Sequence, residues 1–282
     1  MKRSLLICIK IIIAGVAIYI AFRHVNRDEL KHIQWNTTLV WLLPAVIFFN
    51  ASQFVSAFRL LQYYKLIDAG ITYALNLPLY YTGMFYNLFL PGGIGGDVYK
   101  VMVLKKRGNT LVSTSKATLI DRVTGLLMLL AIMSVLLNFI RVPLPVNWIR
   151  VSSLAVIPAF FLYWFIVRNY FRPFDAVIFK TALLSVIVQI CQLVCFFCLL
   201  LVVHAPYNDF IQYAILFFAG SVIAALPVSI GGIGTRELTM ATGALYLHVS
   251  ATMAVTASIL FYAVTAVSAI AGYTGAKKHL GK

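Results

Sequence analysis

The sequence predicts an all-α polytopic membrane protein with six full spans and two glycine-rich re-entrant segments, arranged as inverted-topology repeats. Three observations predict this fold. The chain is 62% hydrophobic and 11% charged, whereas soluble domains are about 45–50% apolar and about 25% charged. The tetrapeptide Gly-Gly-Ile-Gly occurs twice, at positions 92–95 and 231–234. The apolar segments also follow the same order in both halves of the chain.

The first apolar segment, 5–22, follows a basic N-terminus that contains Lys2 and Arg3. Such a segment can belong to a secretory signal peptide. This one is long for a signal sequence, and no small-residue cleavage pattern precedes Arg23. We therefore expect a retained first helix.

Five later segments are predicted to complete the set of full spans, because a helix needs about 20 mostly apolar residues to cross the hydrocarbon core. They are 39–58, 117–140, 151–167, 181–203 and 252–276. Two other apolar segments, 71–90 and 210–230, lead into the Gly-Gly-Ile-Gly motifs and do not continue as helices.

Those two interrupted segments predict the symmetry. Irregular backbone is tolerated at membrane depth only where protein or a water-lined cavity surrounds it. A matched pair of such segments is a sequence indication of a transport site. Each half contains, in order, a span, a second span, a re-entrant segment and a third span. Because the first half crosses the membrane three times, the second half begins on the opposite side and is inverted relative to the first. We predict one transmembrane domain, 1–282, with halves 1–145 and 146–282; the alternative is a chance division of the segments.

Basic residues predict the orientation, because lysine and arginine are enriched in cytoplasmic loops. We expect a protein of the cell (inner) membrane. The basic residues place both termini in the cytoplasm and the loop 204–209 outside. Segment 71–90 should then enter from the cytoplasmic face and segment 210–230 from the outer face. The basic loop 23–38 falls where this scheme requires the outside, so its side stays open.

The first glycine-rich motif covers residues 90–97. Its glycines and proline disfavour a helix, so a helix should begin near Asp97 and present backbone N–H groups to an anion such as phosphate. Lys100 lies about one turn later and could support the same anion. The alternative is a tight turn capped by Asp97, with Lys100 extended to the interface. The candidate substrate-binding residues are Gly92, Gly93, Gly95, Gly96, Asp97 and Lys100.

The second motif, residues 227–237, follows the same logic. Thr235 is predicted to cap the next helix, with Glu237 in its first turn. Arg236 offers a planar guanidinium that can bind a phosphate through two donors. Neither motif has the Gly-Lys-Ser/Thr ending of a P-loop or the strand-to-helix context of a dinucleotide site. The candidate substrate-binding residues are Ser229, Gly231, Gly232, Gly234, Arg236 and Glu237.

Two further candidates for substrate binding, Asp121 and Arg122, begin the span 117–140. Ionisable residues inside spans usually face protein or water and are functional candidates. Adjacent helix residues do not face each other, so we expect them to have different partners. The expected partners are Asp97 or Glu237 for Arg122, and Arg236 or Lys116 for Asp121. The alternative is an ordinary anchor at the membrane interface.

The composition also excludes several functions. The net charge of +15 comes from basic residues between apolar spans, as expected beside anionic lipid headgroups, so no nucleic-acid partner is expected. Cys191, Cys195 and Cys198 share a helix face, but no histidine or carboxylate lies near them. We predict packing residues there and expect no metal or other cofactor. The histidines are dispersed, no catalytic grouping stands out, and we expect no enzyme.

At these motifs the chain resembles the flippase-like family, also called the lysylphosphatidylglycerol synthase transmembrane-region family. Its members resemble the membrane half of aminoacyl-phosphatidylglycerol synthases of the multiple peptide resistance factor type. The resemblance rests on residues 91–97 with Lys100, on Asp121-Arg122 and on residues 227–237, and the segment layout agrees over nearly the whole chain. Two residues depart from the pattern, because Lys100 stands where arginine is common and Asp121 where glutamate is common.

The resemblance implies a flippase-like transporter that moves an anionic polar-headed lipid between leaflets. The implied cargo is aminoacyl-phosphatidylglycerol, a polyprenyl-phosphate-linked sugar or a related lipid. We expect the glycine-rich tips to meet near the midplane and to hold the lipid phosphate with Lys100 and Arg236. No aminoacyl-transferase domain follows the last span, so no synthase activity is expected.

Two functions of other classes stay open: a membrane subunit or enzyme of lipid or glycolipid biosynthesis without translocation activity, and a small-solute transporter. The expected partner is a membrane lipid with a phosphate headgroup. A lipid-modifying enzyme and a second copy of the chain are further partners that the sequence leaves open.

Overall fold

Long helices dominate the structure, a computed structural model that describes residues 15–26, 38–89, 95–140, 146–226, 232 and 234–280. Helix accounts for 87% of the structure, and no strand occurs in these ranges. The predicted all-α class is confirmed. Its physical reason is that a helix satisfies its own backbone hydrogen bonds where no water is present.

The helices of the described ranges are numbered in chain order. They are α1 (15–23), α2 (Leu42–Lys65), α3 (Tyr73–Phe89), α4 (Gly95–Lys106), α5 (Leu111–Leu136), α6 (Val146–Tyr170), α7 (Ile178–Val202), α8 (Phe210–Ala225), α9 (Thr235–Tyr246) and α10 (Ala251–Leu280). Short 3-10 turns adjoin α2, α5, α7 and α8. They are Leu39–Trp41, Leu137–Phe139, Phe174–Val177 and Tyr207–Asp209.

Six helical segments of the described chain are long and apolar enough to cross a membrane. They are Leu39–Lys65, Leu111–Phe139, Ser153–Tyr170, Phe174–Val202, Tyr207–Ala225 and Ala251–Ile270. They make this a multi-pass membrane protein. Five of them coincide with predicted full spans, whereas Tyr207–Ala225 coincides with the segment that we predicted to be re-entrant. Of the predicted first span, residues 5–14 lie outside the described ranges and the remainder is helical.

The helices pack in pairs, several of which join helices far apart in the chain. Helices α2 and α7 make the most extensive helix–helix contact. Helix α3 packs on α10, and α8 packs on α5. Each glycine-rich motif joins two helices that pack together as a hairpin: α3 with α4 in the first hairpin, and α8 with α9 in the second. Helix α4 also contacts α5, and α9 also contacts α10.

The buried apolar residues form two clusters with a polar layer between them. One cluster contains Phe49 of α2 and Phe196 of α7, and the other contains Leu60 of α2 and Ile178 of α7. Between these positions both helices bury polar side chains. They are Ser52, Gln53, Ser56 and Arg59 on α2 and Thr181, Ser185 and Gln189 on α7. Polar groups inside the membrane need partners within the protein, and this layer adjoins the candidate site.

Candidate functional site

A cavity of about 350 Å³ lies between helices of both halves of the chain, lined by residues of α2 to α5 and α7 to α10. Its charged lining residues are Arg59, Lys100, Arg122, Arg236, Asp97 and Asp121. Four cationic side chains therefore face two carboxylates. With all six groups ionised, the lining carries two positive charges in excess, which favour an anion in the cavity.

Asp97 is held between two cations at the start of α4. Its carboxylate lies 2.7 Å from the Lys100 ammonium and forms a second ion pair with Arg122 of α5. The expected pairing of Arg122 with Asp97 is confirmed. Lys100 is buried, and its ammonium also lies 4.9 Å from the centre of the Tyr80 ring. The Lys100 side chain is therefore enclosed by protein.

Asp121 pairs with Arg59, and neither of the partners that we expected for it was right. The Arg59 guanidinium donates to both carboxylate oxygens of Asp121, at 2.8 and 3.0 Å, and to the Ser185 hydroxyl at 2.9 Å. Gly125 leaves room for it, since a Cβ there would lie 3.1 Å from a guanidinium nitrogen. Asp121 and Arg59 are both buried inside the protein.

Sequence reasoning missed Arg59 because the predicted span stopped at residue 58, which placed Arg59 in a cytoplasmic loop. Helix α2 instead continues to Lys65. The available signal was spacing: Ser52, Ser56, Arg59 and Tyr63 recur at intervals of four and three residues, which places them on one helix face.

Glu237 makes hydrogen bonds at the start of the second helix of the second hairpin and does not line the cavity. Its carboxylate accepts hydrogen bonds from the Gly234 N–H at 2.7 Å and the Ser258 hydroxyl at 3.0 Å. Gly234, with φ +83°, is the N-cap of α9, so the prediction of Thr235 as the cap is wrong. Ser258 belongs to α10, so the Glu237 carboxylate links the Gly234 amide at the hairpin tip to that helix.

Two helix-terminal amides are already engaged. The Gly96 N–H donates to the Asn87 side-chain oxygen at 2.7 Å, and the Gly234 N–H donates to Glu237. Neither of these two amides is free to receive a phosphate, whereas the amides of Gly92, Gly93 and Gly231 lie outside the described residues. The cationic side chains that line the cavity offer an anion further donors.

Arg236 is the cation of the cavity without an ion-pair partner in the described ranges. Its guanidinium lies 5.0 Å from the centre of the Phe217 ring and 4.5 Å from that of Phe261. One terminal nitrogen reaches the Ser221 hydroxyl at 3.5 Å, while the buried Nε has no hydrogen-bond partner among the described residues. A buried donor that lacks a partner is costly, so this guanidinium is suited to donate a hydrogen bond to a ligand oxygen.

The other predicted site residues divide into two groups. Gly95, Gly96, Gly232 and Gly234 lie in the hairpin tips, where Gly96 packs directly on the backbone of Gly83 and a Cβ on Gly232 would meet Ala224. The remaining ones, Gly92, Gly93, Ser229 and Gly231, fall outside the described residues. In the part of the chain that the structure describes, no group of three or more histidine, cysteine, aspartate or glutamate residues could hold a metal ion.

Comparison with known proteins identifies the family of this chain. A family model described as lysylphosphatidylglycerol synthase TM region matches residues 7–272. No curated protein matches the chain.

Proposed function

Because the chain belongs to the lysylphosphatidylglycerol synthase TM-region family, we propose that it is a flippase-like transporter of an anionic polar-headed lipid. The cargo would be aminoacyl-phosphatidylglycerol, a polyprenyl-phosphate-linked sugar or a related lipid. The protein would act in the cell (inner) membrane, with both termini in the cytoplasm.

The observation that carries this proposal is the excess of cations in the cavity. Arg59 and Lys100 are neutralised by Asp121 and Asp97, and Arg122 shares Asp97 with Lys100. Arg236 retains its charge and an unused donor on the cavity wall. A lipid phosphate carries the complementary charge, and a guanidinium binds phosphate oxygens with two donors.

The architecture supports transport through inverted repeats. Helices α4 and α9 have 12 residues each, a length of about 18 Å against a hydrocarbon core of about 30 Å. Neither helix can cross alone, which favours two re-entrant hairpins, α3–α4 and α8–α9. The matched packing of α3 on α10 and of α8 on α5 favours a two-fold relation between the halves.

This arrangement would lower the barrier to moving a headgroup. A phosphate in hydrocarbon faces a very large desolvation penalty, whereas the cavity offers cations and polar side chains. The acyl chains would stay in the bilayer while the headgroup passes. No covalent step is required, and the cavity carboxylates Asp97 and Asp121 serve as ion-pair partners of the cations.

Reconstitution tests the proposal directly. Purified protein in liposomes with a fluorescent phosphatidylglycerol should move the probe between leaflets, measured as its loss of accessibility to a membrane-impermeant quencher. If the wild-type protein moves no lipid, the proposal fails. If it forms a lipid product without translocation, the chain is instead a membrane enzyme of lipid biosynthesis.

Arg236→Ala is expected to slow translocation in that assay at least about tenfold. The variant loses a charge-assisted interaction worth about 1.5–3 kcal/mol, which corresponds to roughly a 10–100-fold change. Arg236→Lys should retain part of the rate, because lysine keeps the charge but not the planar pair of donors. Arg168→Ala, at an exposed arginine outside the cavity, is the matched control, and equal rates for all three variants would contradict the role of Arg236.

A further inference from the structure

An apolar groove of about 320 Å³ runs along the contact between α4 and α5. On α4 it is lined by Val98, Val101 and Met102, and on α5 by Leu111, Ser115, Thr118 and Leu119. Val98, Met102 and Leu119 are each at least half exposed, whereas Val101 and Thr118 are buried. The groove therefore has an open apolar mouth and a closed floor, a shape suited to a hydrocarbon chain.

The groove ends at the cationic cavity. Asp97 and Arg122 line both spaces, and their ion pair stands at the junction. A headgroup that moves from the groove to the cavity must therefore pass this pair. A phosphate could take the place of the Asp97 carboxylate on the Arg122 guanidinium without leaving a buried charge unpaired.

The other end of the groove is basic. Val98, Met102 and Lys105 recur at intervals of four and three residues on α4, so Lys105 continues the lining face of that helix. Lys105, Lys106 and Arg107 are exposed, as expected for a helix end that attracts anionic headgroups. From Lys105 to Asp97 the helix rises about 12 Å towards the cavity.

We propose that this groove is a loading site for an anionic glycerophospholipid of the leaflet that Lys105 reaches. One acyl chain lies between α4 and α5, the phosphate rests at Lys105, and the Asp97–Arg122 pair separates the loaded lipid from the cavity. The inference rests on the proposed transport function, since it names the route by which the cargo reaches the cavity. An anionic lipid fits this groove for two reasons: its phosphate complements the charge of Lys105, and the groove is continuous with the cationic cavity.

A photoreactive phosphatidylglycerol with a diazirine in one acyl chain tests the site in liposomes of the intact protein. Labelling should concentrate on peptides that contain 95–106 and 111–122, and should exceed that of the matching phosphatidylcholine probe. Labelling spread evenly over lipid-facing helices such as α6, or equal labelling by both probes, would overturn the inference.

Three variants sharpen the test. Ser115→Trp fills the groove and should lower both groove labelling and translocation about tenfold, whereas Val112→Trp, exposed on the same helix outside the groove, should change neither. Lys105→Glu, on the surface, should remove the preference for the anionic probe even if Ser115→Trp does not fold.

The outcomes separate the two proposals. Translocation unchanged by Ser115→Trp, with the variant folded, refutes the groove and leaves the transport function standing. Groove labelling in a protein that moves no lipid refutes transport and leaves the binding site standing.

Discussion

Arg59→Ala is expected to destabilise the protein by about 3–5 kcal/mol, the usual effect of removing one partner from a buried ion pair. The side chains of Arg59 and Asp121 are each only 8% exposed. The variant leaves the Asp121 carboxylate buried without its two donors, and it also removes the donor to Ser185. Thermal unfolding of purified protein in detergent should show the loss as a much lower melting temperature.

A double variant separates the ion pair from simple packing. Arg59→Met with Asp121→Leu removes both charges and keeps apolar volume, so it should recover most of the stability lost in either single variant. The exposed Arg168→Ala should melt within error of the wild type. If Arg59→Ala unfolds at the wild-type temperature, the two side chains are not a buried pair.

Gly96→Ala is expected to prevent the first hairpin from closing. A Cβ at Gly96 would lie 1.9 Å from the carbonyl oxygen of Gly83 and 2.5 Å from its carbonyl carbon. Both atoms belong to the backbone, so α3 and α4 would have to separate. We expect a loss of about 3 kcal/mol, with a low yield of monodisperse protein in size-exclusion chromatography and a lower melting temperature.

Two other glycines give a graded control. Gly83→Ala places a Cβ 3.1 Å from the Gly96 carbonyl oxygen, so a small shift can relieve it. Gly15→Ala meets no atom within 4 Å and should be neutral or slightly stabilising in its helix. The expected order of stability is Gly15→Ala, then Gly83→Ala, then Gly96→Ala. A Gly96→Ala protein as stable as Gly15→Ala would show that the hairpin does not pack as described.

Hydropathy predicted the long helices well because the bilayer imposes one length and one composition on every span. Five predicted spans coincide with long apolar helices. Their ends were less predictable: α2 extends past residue 58 to Lys65. A hydropathy window treats Arg59 as a break, although a charge neutralised by a neighbouring helix can remain inside the bundle.

The candidate site was predictable in its residues and only partly in its contacts. Motifs identified Asp97, Lys100, Arg122 and Arg236, which line one cavity, and adjacency on α5 predicted separate partners for Asp121 and Arg122. The choice of partner depends on how helices far apart in the chain cross, which local spacing does not specify. The same holds for the Gly96 amide, whose acceptor is the Asn87 side chain at the end of the preceding helix.

Lipid binding to the cavity is the most direct test of the central claim that its excess positive charge holds an anionic headgroup. Native mass spectrometry of the protein in mild detergent, titrated with phosphatidylglycerol and with phosphatidylcholine, measures that binding without any transport step. The account predicts a bound phosphatidylglycerol that phosphatidylcholine does not displace, and an affinity at least about tenfold weaker in Arg236→Ala. Equal affinities for the two lipids, or for the wild type and Arg236→Ala, would contradict it.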